Sequence, residues 1–179
     1  MLKKFLQTIC IVVDKFTMWL GKGASYLMPI LAFIVAFEVV ARYIFDAPTI
    51  WAYDLSLFLF GYIAALGGAY AQQRKSHINV DILYISVSPK VKSIFNIISF
   101  SLGVFFLIII FKMGLIKFDE AIEYDYRRQS EWAPVMWHFW LMLCVASAVF
   151  TVQLLRDILE EVYYFFTGLP LIEKEIKDD

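Results

Sequence analysis

The sequence predicts an all-α integral membrane protein with four transmembrane helices, and three observations lead to this fold class. Of the 179 residues, 61% are hydrophobic and 18% charged, with a mean hydropathy of +0.68. Ordinary soluble domains are about half apolar and a quarter charged. Four apolar stretches each supply the ~20 residues that a helix needs to cross a bilayer. Only short connections remain, so residues 1–179 are predicted to form a single membrane domain in contact with membrane lipid.

Charge and cysteine content exclude further classes of protein. The net charge is −1, and no basic patch or stripe appears, which argues against a nucleic acid as partner. Cys10 and Cys144 provide no disulfide framework. They are also expected at different membrane depths, so we predict no disulfide between them.

The N-terminal segment, residues 2–20, is predicted to be an amphipathic helix at the cytoplasmic surface of the membrane. Apolar residues such as Phe5 and Phe16 occur beside Lys4 and Asp14, as is typical of an interfacial helix. A signal peptide is excluded because no small-residue cleavage site follows and Asp14 and its neighbour interrupt the apolar run. The glycines of residues 21–23 are predicted to turn the chain into the bilayer.

Four spans are predicted, at about residues 24–45, 48–71, 89–118 and 134–156. Pro48 is expected in the first turn of the second span, where its missing N–H costs nothing, with Asp46 as the cap. Ser88 and Pro89 open the third span by the same logic.

The fourth helix keeps its apolar periodicity to Phe166 and should end at Gly168. At 1.5 Å per residue it is roughly 50 Å long and exceeds a ~30 Å hydrocarbon core. Its last part is therefore predicted to extend into the cytoplasm, with four charged side chains projecting there: Arg156, Asp157, Glu160 and Glu161.

A cluster of charges is predicted where the first two spans meet. Glu38 and Arg42 lie four residues apart on one helix face, and Asp54 follows at a similar depth in the next helix. Charges inside apolar spans are costly and need partners, so Arg42 is expected between the two carboxylates. One negative charge is then left over, which indicates either a protonated acid or a cation on another chain.

Small residues recur every four positions in the second span, at Gly61, Ala65 and Ala69, with Ala64 and Gly68 alongside. This spacing lets another helix approach closely. The approaching helix could belong to this chain or to a partner, and the sequence leaves both open.

Residues 77–87 are predicted to form a short interfacial helix. His77 and Asp81 are four apart on it and could form a pair. A His–Asp pair without a nucleophile is no catalytic signature, so the pair is interpreted as structural.

The connection from Asp119 to Glu131 mixes five acidic residues with aromatic ones. It is either a solvated loop with interfacial aromatics or a periplasmic docking edge. Three tryptophans around the start of the last helix form an aromatic belt, and His138 within it is interpreted as an interfacial residue.

The distribution of Lys and Arg predicts the orientation. With the N-terminus inside, eleven of them lie on the cytoplasmic side and five outside, so both termini are predicted to be cytoplasmic.

The central stretch resembles the small membrane subunit of tripartite ATP-independent periplasmic (TRAP) transporters, the DctQ family. The resemblance rests on Arg42-Tyr43-x-Phe45, Pro48, Trp51, the acidic Asp54, the small residues 64–71, and His77-Ile78-x-Val80-Asp81. The family usually has glutamate at the position of Asp54. Ser130 to Trp137, before a long last helix, are similar to longer members.

This resemblance implies a fixed scaffold in a bacterial inner-membrane complex. Its partners would be a large polytopic subunit that moves an organic acid and Na⁺ by an elevator motion, and a periplasmic substrate-binding protein. The residues implied to be structural or at the subunit interface are Glu38, Arg42, Pro48, Trp51, Asp54, Gly61, Ala65, Gly68, His77 and Asp81.

Other functions fit the residues less well. Catalytic constellations, zinc-ligand clusters and Gly-rich phosphate loops are not found, so we predict no enzyme, cofactor or metal. A haem anchor is disfavoured because the only histidines, His77 and His138, are predicted on opposite membrane sides. A self-sufficient transporter would need matched broken helices around a midplane site. The alternative left is a small anchor subunit of another membrane complex.

Overall fold

The computed structural model describes residues 2–74 and 87–172, and these residues are helical apart from short connections. The five helices are α1 (Leu2–Ser25), α2 (Leu27–Tyr43), α3 (Ala52–Gln73), α4 (Pro89–Glu123) and α5 (Trp137–Thr167). Four segments of the described chain are long and apolar enough to cross a membrane: residues 3–43, α3, α4 and α5. The predicted all-α class with four candidate spans is confirmed.

The start of α3 differs from the prediction. Pro48 lies in the connection before α3, four residues before Ala52, and not in the first turn. Asp46 has a φ of 51°, and the N-cap residue is Trp51, which makes no side-chain cap bond. The ring of Trp51 instead stacks on Phe37 of α2, with centroids 5.9 Å apart. Packing of the connection against α2 therefore outweighs the proline and cap signals.

The first helix is also longer than predicted. It continues through the glycines of residues 21–23 to Ser25, and the break falls at Tyr26, the residue before α2. Gly21 serves close packing here, because a Cβ on it would overlap the Cβ of Tyr70 in α3. The location of α1 at the membrane surface stays a prediction. Most of the interfacial helix predicted at 77–87 lies outside the described residues.

The two long helices follow the predicted signals with shifted ends. Ser88 is the N-cap of α4 and Pro89 its first residue, as predicted, but α4 continues five residues beyond the expected end at Phe118. The last helix begins at Trp137, three residues after the expected start at Pro134. Gly168 closes it in the left-handed conformation, with a φ of 69°, as the sequence indicated.

The spans form a row one helix thick. Among the described helices, α2 packs against α3, α3 against α5, and α5 most extensively against α4, while α1 crosses the ends of α3 and α5. Between 6% and 28% of the most apolar window of each span is buried inside the chain. The row therefore presents two broad apolar faces and has no central core shared by all four spans.

Candidate functional site

Polar side chains are concentrated in the two regions where the helices of the row begin and end. We call these regions the two ends of the row. One end carries the connections 44–51 and 124–136, and the other carries α1 together with the end of α3 and the second half of α5. Charges within apolar helices are costly without partners, so the partners of the charged side chains at these two ends indicate what each end can do.

At the first end, Asp54 is almost completely buried, with 1% of its side chain exposed. Its Oδ1 lies 2.8 Å from the Nε of Arg128, and its Oδ2 accepts a hydrogen bond from the hydroxyl of Ser130. The predicted arrangement, with Arg42 between Glu38 and Asp54, is therefore wrong for Asp54. Its cation comes from the α4–α5 connection, because that connection folds back over the start of α3.

Glu38 and Arg42 do form the predicted i,i+4 pair, with Nη2 of Arg42 2.5 Å from Oε1 of Glu38. The other carboxylate oxygen accepts bonds from Thr49, from the backbone N–H at 3.2 Å and from the hydroxyl at 2.5 Å. Half of the Arg42 side chain is exposed, against 14% for Glu38. This carboxylate therefore fixes the α2–α3 connection, and the arginine is the outer partner.

The α4–α5 connection has the local structure needed to hold Arg128 in place. An isolated antiparallel bridge joins Arg127 and Val135, with the N–H of Arg128 donating to Pro134 O at 2.9 Å. The hydroxyl of Ser130 also accepts from the N–H of Ala133 at 3.2 Å. The guanidinium of Arg128 further lies over the Tyr53 ring, 5.7 Å from its centroid. This segment is thus an ordered clamp on Asp54.

At the other end, a buried polar network centres on Arg156, whose side chain is 10% exposed. It pairs with Asp14 of α1 at 2.9 Å, with Asp157 at 3.2 Å and with Glu160. We call these four residues the α1-end cluster. Three carboxylates surround one guanidinium, so the cluster has an excess of negative charge.

Glutamine side chains complete this cluster. The amide of Gln153 donates to Asp14 at 3.2 Å and to Asp157 at 3.3 Å, and that of Gln72 donates to Asp157 at 3.0 Å. The amide of Gln73 donates to the backbone oxygen of Asp14 at 2.9 Å. The network therefore joins α1, α3 and α5.

The charged side chains of the last helix are bound within the chain, and their location in the cytoplasm stays a prediction. Arg156, Asp157 and Glu160 are tied into the α1-end cluster. Glu161 accepts bonds from Ser93 Oγ at 2.6 Å and Asn96 Nδ2 at 2.8 Å, across to α4. The signal that could have located the cluster is Asp14, an acid that interrupts the apolar run of α1 opposite an arginine within α5.

The small-residue face of α3 packs within the chain. A Cβ on Gly61 would lie 3.1 Å from Phe139 of α5, and one on Gly68 would lie 3.5 Å from Phe150. Ala69 is 1% exposed and Ala65 half-buried, whereas Ala64 is exposed. The helix that approaches the two glycines therefore belongs to the same chain and not to a partner.

His138 joins the same two helices. Its Nδ1 lies 2.5 Å from the hydroxyl of Tyr62, and its ring is edge-on to that of Phe58 at 4.8 Å. It is therefore a helix–helix contact as well as a residue near the tryptophans. His77 and Asp81, the other predicted pair, lie outside the described residues.

The comparison with protein families decides the classification. Residues 31–163 match the model described as "Tripartite ATP-independent periplasmic transporters, DctQ component", which covers most of the chain. The chain belongs to this family. The matched range includes both polar ends of the row except for α1, and it confirms the resemblance drawn from the central stretch.

Two curated relatives agree with the family. The chain is 28% identical over 110 residues, 61% of its length, to the sialic acid TRAP transporter permease protein SiaT of Haemophilus influenzae. It is 27% identical over 82 residues, 40% of its length, to the C4-dicarboxylate TRAP transporter small permease protein DctQ of Vibrio cholerae. The matches span 17% and 35% of those relatives.

The polar contacts at the two ends join helices and connections of the same chain. Asp54, Glu38 and Asp14 are each engaged by cations or hydrogen-bond donors from other elements of the chain. Such contacts join the helices of this DctQ-family chain to one another and to its two connections.

Proposed function

We propose that this DctQ-family chain is the non-catalytic small transmembrane subunit of a tripartite transporter. In this role it would be a fixed scaffold for a larger polytopic membrane subunit, which would move the solute. The observation that carries the proposal is the row of spans. Over the residues that the structure describes, a row one helix thick leaves no interior in which to enclose a solute, whereas its broad apolar faces are suited to a large membrane partner.

The ion pairs support a scaffold role. Elements that move in transport are drawn from the less stable parts of a protein. Here both ends of the row are fastened by side-chain networks that join α1, α3, α5 and the two connections. A rigid support for a moving partner needs this kind of fastening.

The names of the relatives support a proposal for the partners and the solute class. One relative is named for sialic acid and the other for C4-dicarboxylates, and both solutes are organic acids. Most of the sialic acid permease lies outside the match, so a segment of this kind works next to further permease structure there. We infer an organic acid as solute, delivered by a periplasmic binding protein, with uptake coupled to Na⁺ in the large subunit.

Co-purification tests the proposal. The tagged chain, extracted from its own membrane in a mild detergent, is expected to retain a larger polytopic membrane protein. Liposomes containing the chain alone should take up no organic acid, and liposomes containing the complex and the binding protein should do so in a Na⁺ gradient. Uptake by the chain alone would overturn the scaffold role.

A further inference from the structure

An apolar groove lies between the first turns of α4 and the last turns of α5. It encloses about 290 Å³ and is lined by Ile94, Ile97, Ile98, Val162, Phe165 and Phe166, a volume near the lower end of the roughly 300–1,000 Å³ of ligand sites. Phe166 is 79% exposed and Ile98 52% exposed. The groove is therefore open on the outer surface that α4 and α5 share.

The groove lies near the start of α4. Ile94 and Ile98 lie about 8 and 14 Å along α4 from Pro89, at 1.5 Å per residue. Because α4 is one of the four candidate spans, the groove lies along the first part of a helix long and apolar enough to cross a membrane.

Positive charge lies at the mouth of the groove. Lys90 is exposed and precedes Ile94 by four residues, so the two lie on the same face of α4. Side chains in a helix lean toward its N-terminus, which carries the ammonium beyond the groove. Ser88 gives α4 no side-chain cap, and the first-turn N–H groups and the positive end of the helix dipole lie on the same side of the groove as Lys90.

The neighbouring carboxylate does not compete for this charge. Glu161, which precedes Val162 of the groove, is bound by Ser93 and Asn96 of α4. Within residues 2–74 and 87–172, no hydrogen bond or ion pair engages the Lys90 side chain, and helix N-termini bind phosphate readily.

From the apolar groove and the charge at its mouth, we propose that this site holds a membrane phospholipid. One acyl chain lies against the isoleucines and phenylalanines, and the phosphate binds Lys90 and the N-terminus of α4. A protein helix would fill the groove but would need an acid at the matching position, whereas a phospholipid supplies both parts in one molecule. The inference is independent of which solute is carried.

Photo-crosslinking tests this site in the complete complex. The complex is placed in nanodiscs with phosphatidylglycerol that carries a diazirine on one acyl chain, and crosslinked residues are mapped by mass spectrometry. We expect severalfold more labelling at residues 94–98 and 162–166 than at the apolar, exposed Leu102, Phe105 and Phe106 of α4. Even labelling of both stretches of α4, or crosslinks to another protein in the groove, would overturn the proposal.

Two matched pairs of variants separate the headgroup and chain contacts. Lys90→Glu should reduce groove labelling severalfold, whereas Lys112→Glu, an exposed lysine farther along the same helix, should not. Ile98→Trp fills the groove and should abolish its labelling, whereas Leu102→Trp should leave it intact. Groove labelling unchanged by Lys90→Glu would refute the phosphate contact, and labelling that survives Ile98→Trp would refute the chain contact.

Discussion

Arg128 lies 2.8 Å from Asp54 across 74 positions of sequence, and it joins the α4–α5 connection to the first turn of α3. The carboxylate is 1% exposed and the guanidinium 31% exposed, so the pair closes one end of the helix row from outside. Arg42, which the sequence placed on Asp54, pairs with Glu38 instead.

Removing Arg128 should destabilise the chain strongly, because it leaves the buried charge of Asp54 without its cation. Breaking such a pair costs ~3–5 kcal/mol, and we expect about 3 kcal/mol for Arg128→Ala since this arginine is partly exposed. Thermal unfolding in detergent should show a Tm lower by roughly 6–12 °C.

Arg127→Ala is the matched control for this change. Arg127 pairs with Asp125, and both side chains are more than half exposed, so its Tm should stay close to the parent. Adding Asp54→Asn to Arg128→Ala should recover part of the loss. If Arg127→Ala and Arg128→Ala had the same Tm, the Asp54–Arg128 pair would not stabilise this end of the row.

Arg156→Met should loosen α1 from the row, because three carboxylates would then face one another without a cation. We expect a loss of ~3–5 kcal/mol, seen as faster limited proteolysis within α1 and a lower Tm. Asp14→Asn should be much milder, since it removes one of the excess negative charges. Lys15→Ala, an exposed neighbour of Asp14, is the control and should change neither readout.

The two glycines of α1 should respond oppositely to alanine. Gly21→Ala forces its Cβ into Tyr70 and should cost ~1–3 kcal/mol as overpacking. Nothing lies within 4 Å of a Cβ on Gly23, so Gly23→Ala should stabilise the helix by roughly 0.5–1 kcal/mol. Chemical denaturation of both variants in one detergent compares them. Equal effects would mean that α1 does not pack on α3 as described.

Charge reversal at the exposed Glu123 and Glu131 tests whether the α4–α5 connection contacts the proposed periplasmic binding protein. Rim charges chiefly steer encounter, so Glu123→Lys with Glu131→Lys should slow delivery severalfold at low salt and weaken the dependence on ionic strength. Neither residue belongs to the Asp54–Arg128 pair, so the fold should be preserved. Transport equal to the parent at every salt concentration would contradict docking at this segment and favour the solvated-loop interpretation.

Cysteine labelling tests the predicted orientation. In a chain whose Cys10 and Cys144 are serine, a cysteine at Asp179 should stay unlabelled by an impermeant reagent in intact cells and react after lysis. A cysteine at Glu131 should be labelled in intact cells. The reverse pattern would invert the topology derived from the Lys and Arg counts.

The sequence by itself determined the class of the protein, and those helix ends and side-chain pairs that depend on neighbouring residues. Hydropathy identified four spans because a bilayer demands long apolar segments with internally satisfied backbone groups. Local chemistry located the start of α4 at Ser88 and Pro89, the end of α5 at Gly168, and the Glu38–Arg42 pair, since each depends on residues at most four apart.

Only the tertiary structure decided how distant residues meet. The partner of Asp54 comes from a connection 74 residues away, and nothing local distinguishes Arg128 from the exposed Arg127 beside it. The meeting of Asp14 with Arg156, the break at Tyr26 instead of at the glycines, and the arrangement of the spans in a row all depend on which helix faces pack. Many apolar faces are interchangeable in sequence, and the contacts that select one arrangement form only once the whole chain is assembled.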